Sequence, residues 1–172
     1  SANYTITIKG TVKDQYGVSL GTDYVFSFRT AAYKPSISIS PTGTYFATFN
    51  QNEIPRIVSK VVNATEVSYS LYKLKKEDFL DLYKRVYLNF GSDRNLQSYD
   101  PSKLEKVRQW KEVFEVDQNE LVNVITKVQT ENGDKFSSGL YFLDVRIPSG
   151  VHDNLVMVLS RTTLTLKTSP HQ

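Results

Sequence analysis

Short runs in which aromatic or β-branched residues alternate with polar ones decide the fold class of this chain. Tyr4, Ile6 and Ile8 alternate with Thr5 and Thr7. Successive side chains of an extended chain point to opposite faces, so this pattern describes a strand with one buried side. It recurs at Tyr24/Phe26/Phe28, Ile37/Ile39, Tyr45/Ala47/Phe49, Ile57 to Val62 and Val67/Tyr69/Leu71. Further on it returns over Glu120–Thr130 and Leu140–Ile147. Leu155–Leu159 is continuously apolar and reads as a buried strand, and Leu164 and Leu166 begin another alternation. Turn chemistry separates the runs: Asp14 and Gly17, Pro41-Thr42-Gly43, Asn132-Gly133 and Ser138-Gly139. The aromatic content, 11 Tyr and 9 Phe against one Trp and one Met, suits half-buried strands.

One stretch breaks the period. Phe79, Leu82, Tyr83 and Val86 stand at the i, i+3, i+4, i+7 spacing of an amphipathic helix. Asp100-Pro101 reads as an N-cap followed by proline at the first helical position, and Leu104, Val107, Trp110 and Phe114 predict a second helical stripe. Gly91 to Tyr99 reads as polar loop between them. The fold expected is therefore mainly β, an antiparallel sandwich with a helical pair inserted over about 75–112. Residues 3–30 supply two or three strands, too few for a stable unit. The chain is therefore expected to begin partway through a domain. Those strands are expected to pair with another copy or fold back onto the main body. Ala31 to Pro35 reads as a linker, because the residue before proline favours extended backbone.

Composition narrows the chemistry. The net charge is +3, from 21 basic and 18 acidic residues that are interspersed, whereas a dedicated nucleic-acid binder concentrates its cations on one stripe. There is no cysteine, which excludes disulfides, thiolate zinc sites, a cysteine nucleophile and an internal thioester within these residues. No apolar run approaches the ~18 residues of a membrane helix, and no signal peptide is present, so the chain is read as an interior piece of a longer extracytoplasmic protein.

No set of residues assembles into a catalytic, cofactor or metal site. His152 and His171 are the two histidines, and a lone His152-Asp153 in a loop falls short of the three or four ligands zinc requires. There is no Gly-x-Ser-x-Gly elbow to complete a triad with them, and no phosphate loop. Glu77, Asp78 and Asp81 open the first helix, where they suit its dipole. Asp14, Asp23 and Asp93 are oxygen donors without the spacing of a calcium loop. Lys73, Lys75, Lys76, Lys84, Arg85, Lys103, Lys106, Arg108 and Lys111 make the helical region basic, with Tyr72, Tyr83, Tyr87 and Tyr99 interleaved. Read functionally, this is a face for nucleic acid or acidic glycan; read structurally, it is a solvated surface over aromatic core residues, which is preferred because acidic residues share it. Asn63-Ala64-Thr65 matches the glycosylation pattern and is read as a turn between strands.

The order of these pieces resembles the bacterial alpha-2-macroglobulin family. Tyr4–Ile8, Val12–Gly17 and Tyr24–Thr30 resemble the C-terminal half of a bacterial Ig-like domain. Pro35, then Val61–Val67 leading into Ser70–Leu74 and a helix with Asp78-Phe79, resemble a macroglobulin-type domain. Val107–Trp110, Ser138–Leu143 and Leu155–Lys167 continue that likeness. The resemblance implies an Ig-like tail over 1–31, a macroglobulin-type sandwich with its helical insertion over 32–160, and the start of a following domain over 161–172. It also implies a parent protein that is a protease trap, secreted, periplasmic or membrane-anchored, which encloses a protease after cleavage of a bait segment. This chain would be a non-catalytic scaffold in it. Its partners would be neighbouring domains and, through the parent, proteases, with no nucleic acid and no membrane insertion of its own. The alternative is an adhesion or glycan-binding module with a platform of Tyr83, Tyr87 and Tyr99.

Overall fold

In the computed structural model, which describes residues 2–40, 45–88 and 94–162, the alternating runs become strands and the chain divides into two compact units, Ser1–Lys34 and Pro35–Gln172. The first unit is a hairpin of β1 (Asn3–Ile8) and β2 (Tyr24–Arg29), paired antiparallel with Tyr4 opposite Phe28, Ile6 opposite Phe26 and Ile8 opposite Tyr24. This register puts all six apolar side chains on one face, where Tyr4 stacks on Phe28 at 5.4 Å and Phe28 on Phe26 at 6.5 Å. Thr5 and Ser27 face the other way and share a hydrogen bond of 2.8 Å. The connecting residues are tied by two aspartates. Asp14 Oδ1 accepts the N–H groups of Tyr16 and Val18, and Asp23 accepts Gly10 N–H at 2.8 Å and the Lys9 ammonium at 2.7 Å. A Cβ on Gly10 would lie 2.8 Å from the carbonyl carbon of Thr22, so glycine is what lets the two backbones approach there.

The second unit is a sandwich. One sheet is three-stranded, in the order β3 (Ser36–Ser40), β5 (Arg56–Val62), β8 (Leu121–Lys127). The other is five-stranded, in the order β4 (Phe46–Asn50), β10 (His152–Ser160), β9 (Gly139–Arg146), β6 (Glu66–Leu74), β7 (Glu105–Val113). Their facing sides interdigitate as Ile37, Ile39, Ile57 and Val61 against Val67, Tyr69, Leu71, Leu143, Val145 and Leu155, all buried. Period 2 then carries the alternate residues of the five-stranded sheet to its far side, where Tyr72, Leu74, Phe142 and Val156 form a second buried cluster. The helical excursion covers that cluster, with Leu82 of α1 (Lys76–Leu88) and Leu96 of α2 (Arg94–Gln97) fully enclosed. α1 carries Glu77 and Asp78 in its first turn and an Asp81–Arg85 ion pair of 2.7 Å one turn apart, both suited to the helix dipole.

Two expectations need correction. The sheets are antiparallel except that β4 runs parallel to β10, so the sandwich is not purely antiparallel. The inserted helical pair is one full helix, α1, followed by the four-residue α2; the second stripe is not a helix. Asp100 does cap a helical start, accepting Ser102 N–H at 3.0 Å, but only a 3-10 turn, Pro101–Lys103, follows before β7 begins. The misreading has a geometric cause. Leu71 pairs with Arg108 while Tyr72 pairs with Lys106, so Val107 is an extra residue, a β-bulge. The bulge breaks strict alternation and leaves Val107 and Trp110 three apart yet both packed on the core, a spacing that imitates a helix. The region read as polar loop between the helices likewise holds the buried Leu96 of α2.

Candidate functional site

The residues with most chemical potential lie on the outer face of β9 and β10, where α2 meets the sheet. His152 was expected in a loop, but it opens β10 and stands opposite Arg146, while Asn154 stands opposite Asp144. Asp144 and Asn154 are buried, at 4% and 3% exposure. Asp144 Oδ2 accepts from Arg146 Nε at 2.6 Å, and its Oδ1 lies 3.7 Å from His152 Nδ1, too far for a direct hydrogen bond. Asn154 Nδ2 donates to the carbonyl of Leu96 at 3.0 Å, which anchors α2 to the sheet. Asp144 Oδ1, His152 Nδ1 and Asn154 Oδ1 have no hydrogen-bond partner among the described residues.

Asp153 does not join this group. It is one residue along the strand, on the other face, where its Oδ2 accepts Ile39 N–H at 2.8 Å and its Oδ1 accepts Asn154 N–H at 2.9 Å. The carboxylate is thus occupied in holding β3 against β10, and His152 and Asp153 do not converge on a serine. His171 lies outside the described residues. Among the described residues no group of three or more His, Cys, Asp or Glu side chains is placed to hold a metal. Replacing Arg146 by Ala is expected to lower stability by about 1.5–3 kcal/mol, because it removes a hydrogen bond to a buried carboxylate. Urea unfolding of the variant measures this, and an unchanged midpoint would show that Asp144 is solvated from another direction.

The other aspartates singled out are structural. Asp14 and Asp23 organise the hairpin connection, and the Lys9 ammonium, then the Gly10 N–H, hold the Asp23 carboxyl below the usual carboxylate range. Asp93 lies outside the described residues. Asn63 sits at the corner where the chain passes from β5 in one sheet to β6 in the other. Its φ is +53°, its Oδ1 accepts Asn119 N–H at 2.7 Å, and its Nδ2 donates to Asn119 Oδ1 at 3.3 Å.

The basic region does not become a single-sign face. A cleft of about 580 Å3 between α1 and the 3-10 turn brings Lys73, Arg85 and Lys103 together with Asp78, Asp81 and Asp100. Lys111 pairs with Glu66 at 2.8 Å, Lys73 lies 4.3 Å over the ring of Tyr141, and Arg108 covers Trp110 at 4.4 Å. The tyrosines divide as well. Tyr83 and Tyr87 pack with tilted rings along α1 at 4.7 Å and both contact Phe46, whereas Tyr99 packs on Phe142 at 5.1 Å. Burial, then the nearby Asp78 carboxylate, raises the Tyr99 phenol above its ordinary pKa.

A network that went unread in the sequence closes the β7–β8 edge. Trp110 Nε1 donates to Thr126 Oγ1 at 2.9 Å, and Thr126 in turn donates to Glu112 at 2.8 Å. Trp110 stacks on Tyr69 at 5.1 Å, whose hydroxyl shares a hydrogen bond of 2.9 Å with Ser59 of the opposite sheet. The spacing of Trp110 had pointed to a helix, so only the strand pairing exposes this chain of contacts.

This fold is similar to segments of bacterial alpha-2-macroglobulins. The native alpha-2-macroglobulin of Escherichia coli, in a crystal structure spanning domains MG0-NIE-MG1, matches 92% of this chain with a TM-score of 0.55 and 15% identity. Alpha-2-macroglobulin of Salmonella, reacted with methylamine, matches 92% with a TM-score of 0.62 and 11% identity. The present chain spans 49% of the first of those chains and 9% of the second. No protein-family model and no curated protein sequence matches it.

Proposed function

We propose that this chain is a non-catalytic scaffold segment of a bacterial alpha-2-macroglobulin-like protease inhibitor, located in the periplasm or outside the cell. The observation that carries the reading is the fold likeness over 92% of the chain, with TM-scores of 0.55 and 0.62. Such a role asks for rigidity rather than chemistry. Polar groups of this sandwich serve it: Asp153, Asn154, Tyr69 and Trp110 each tie one layer to another. No described helix is long and apolar enough to cross a membrane.

The domain plan follows from the same reading. The hairpin of β1 and β2 would be the C-terminal part of an Ig-like domain and residues 32–160 the macroglobulin-type sandwich; of the segment 161–172, expected from sequence to begin a following domain, residues 163–172 lie outside the described residues. The exposed apolar side chains of Tyr4, Ile6, Ile8, Tyr24, Phe26 and Phe28 support it, since an Ig-like sandwich supplies a second sheet to cover such a face. Hydrogen exchange on the 172-residue chain is expected to show fast exchange in β1 and β2 beside protected β6, β9 and β10. Equal protection would show that the hairpin is stable by itself.

The trap itself is tested on the parent polypeptide. After incubation with a panel of endopeptidases, an enclosed enzyme keeps its activity on small chromogenic peptides and loses it on intact protein substrates. A parent protein that leaves both activities unchanged for every protease in the panel would refute the inhibitor role.

A further inference from the structure

The outer face of the three-stranded sheet carries no carboxylate. By strand parity it presents Ser36, Ser38 and Ser40 from β3, Arg56, Val58, Lys60 and Val62 from β5, and Leu121, Asn123, Ile125 and Lys127 from β8. Arg56 and Lys127 are register partners, two cations placed directly opposite each other on adjacent strands. Like charges in that position repel. Neither side chain has a hydrogen-bond or ion-pair partner among the described residues, and both are exposed. They line a cleft of about 650 Å3 formed with the β4–β5 loop, whose walls are the apolar Phe49, Ile54 and Pro55. Lys135 enters the same cleft, fixed by donation from Nζ to the carbonyl of Asn52 at 2.5 Å, and Glu53 is the one acid on the lining. Arg108 reaches the strand end too, donating to the carbonyls of Lys127 and Gln129, with Glu131 and Glu112 as its own acidic neighbours.

We propose that this cleft and the adjoining sheet face are a docking site for an acidic protein segment, one in which every second residue is by turns Asp or Glu and aliphatic. The charge and the shape select that occupant together. Three cations against one carboxylate call for an anion. The volume and the apolar walls exceed what a free phosphate or sulfate fills, and they suit the flanking side chains of a peptide. Next to the cation pair on the same face stand Val58 and the 63%-exposed Ile125, also register partners, followed by the 55%-exposed Leu121 opposite Val62. An extended segment lying along β5 and β8 turns every second side chain toward this face, so carboxylates four residues apart with an aliphatic residue midway between them would meet these rows. This inference rests on the charges and register of one sheet face and not on membership of a protease trap.

The test uses the whole 172-residue chain, isotopically labelled, titrated with a synthetic peptide of Glu-Ser-Leu-Ser repeats, with its Lys-Ser-Leu-Ser counterpart and with inorganic phosphate. Amide shifts are expected at Arg56, Val58, Ile125 and Lys127 with the acidic peptide alone, weakening as ionic strength rises from about 20 to about 300 mM. Arg56→Glu is the informative variant. It turns a repulsive cross-strand pair into an attractive one, so the melting temperature should hold or rise while the acidic peptide loses about tenfold or more in affinity. Binding of phosphate as tight as that of the peptide would reduce the site to a simple anion site and overturn the proposal. So would shifts that fall elsewhere on the surface, or an Arg56→Glu chain that binds as well as the parent.

Discussion

Replacing Tyr69 by alanine is expected to cost about 3–5 kcal/mol, a large part of the roughly 5–15 kcal/mol by which a folded domain is stable. The ring is fully buried between the sheets, stacked on Trp110, and its hydroxyl is the hydrogen-bond partner of Ser59, itself fully buried. Truncation removes the largest apolar volume at that point and leaves Ser59 unsatisfied. Two further variants separate the terms. Tyr69→Phe keeps the ring and orphans Ser59, at about 1–3 kcal/mol; adding Ser59→Ala to it should recover most of that loss. Denaturant unfolding of the three variants decides the matter, and a double variant no better than Tyr69→Phe would show that the hydroxyl pair is not the source of the loss. The same phenol makes a statement about alkali. Burial pushes its pKa up to about 12, the Ser59 bond opposing and the Glu112 carboxylate reinforcing the shift. A raised pKa means that the folded chain holds the proton longer than the unfolded one. The contribution is complete below pH 10, the ordinary value, and is lost as pH climbs toward 12. Ultraviolet titration should find one tyrosine that ionises only as the chain unfolds.

Phe142→Ala is expected to have a comparable effect, about 3–5 kcal/mol, through a different layer. Phe142 is fully buried on the helix side of β9, against Tyr99 and in one cluster with Leu82 of α1 and Leu96 of α2. A cavity there loosens the helices before it loosens the sheet-to-sheet core, because the residues on either side of Phe142 in the strand, Tyr141 and Leu143, face the other way. Hydrogen exchange under mild denaturant is the appropriate readout: α1 should lose protection while β5 and β6 retain theirs. Simultaneous loss in all three would mean that the helical layer and the sandwich unfold as one unit.

These expectations show how far the residue pattern alone reaches. Alternation, with one continuous apolar run, placed every described strand except β7 to within a few residues, because a half-buried extended chain writes its period directly into its side chains. It could not say which strand neighbours which. β3 and β4 follow one another in the chain yet lie in different sheets, and so do β5 and β6. Where the period itself is broken, the reading broke with it. The bulge at Val107 displaced β7 by one residue and produced a counterfeit helix out of Leu104, Val107 and Trp110. Leu96 is a lone leucine among polar residues, so its burial depends on Asn154 holding α2 to the sheet, a contact made across 58 positions of sequence. Of the polar groups, His152 was visible, but its neighbours Asp144 and Arg146 were not. A carboxylate inside an apolar strand acquires meaning only once Arg146 is seen two residues on, on the same face.

The parallel pairing of β4 with β10 bears on how the protein comes to exist at all. Phe46 lies opposite Val156, so the fourth strand in chain order meets the tenth, the last one described. During synthesis the five-stranded sheet cannot gain that edge until nearly the whole sandwich has left the ribosome. Until then Ala47 and Phe49 have no neighbour from β10 to cover them. Such sequence-distant closure folds slowly and leaves an unfinished strand available to other nascent chains. A chaperone that shields extended apolar segments would therefore be expected to raise the yield of folded chain most in truncations that stop short of His152.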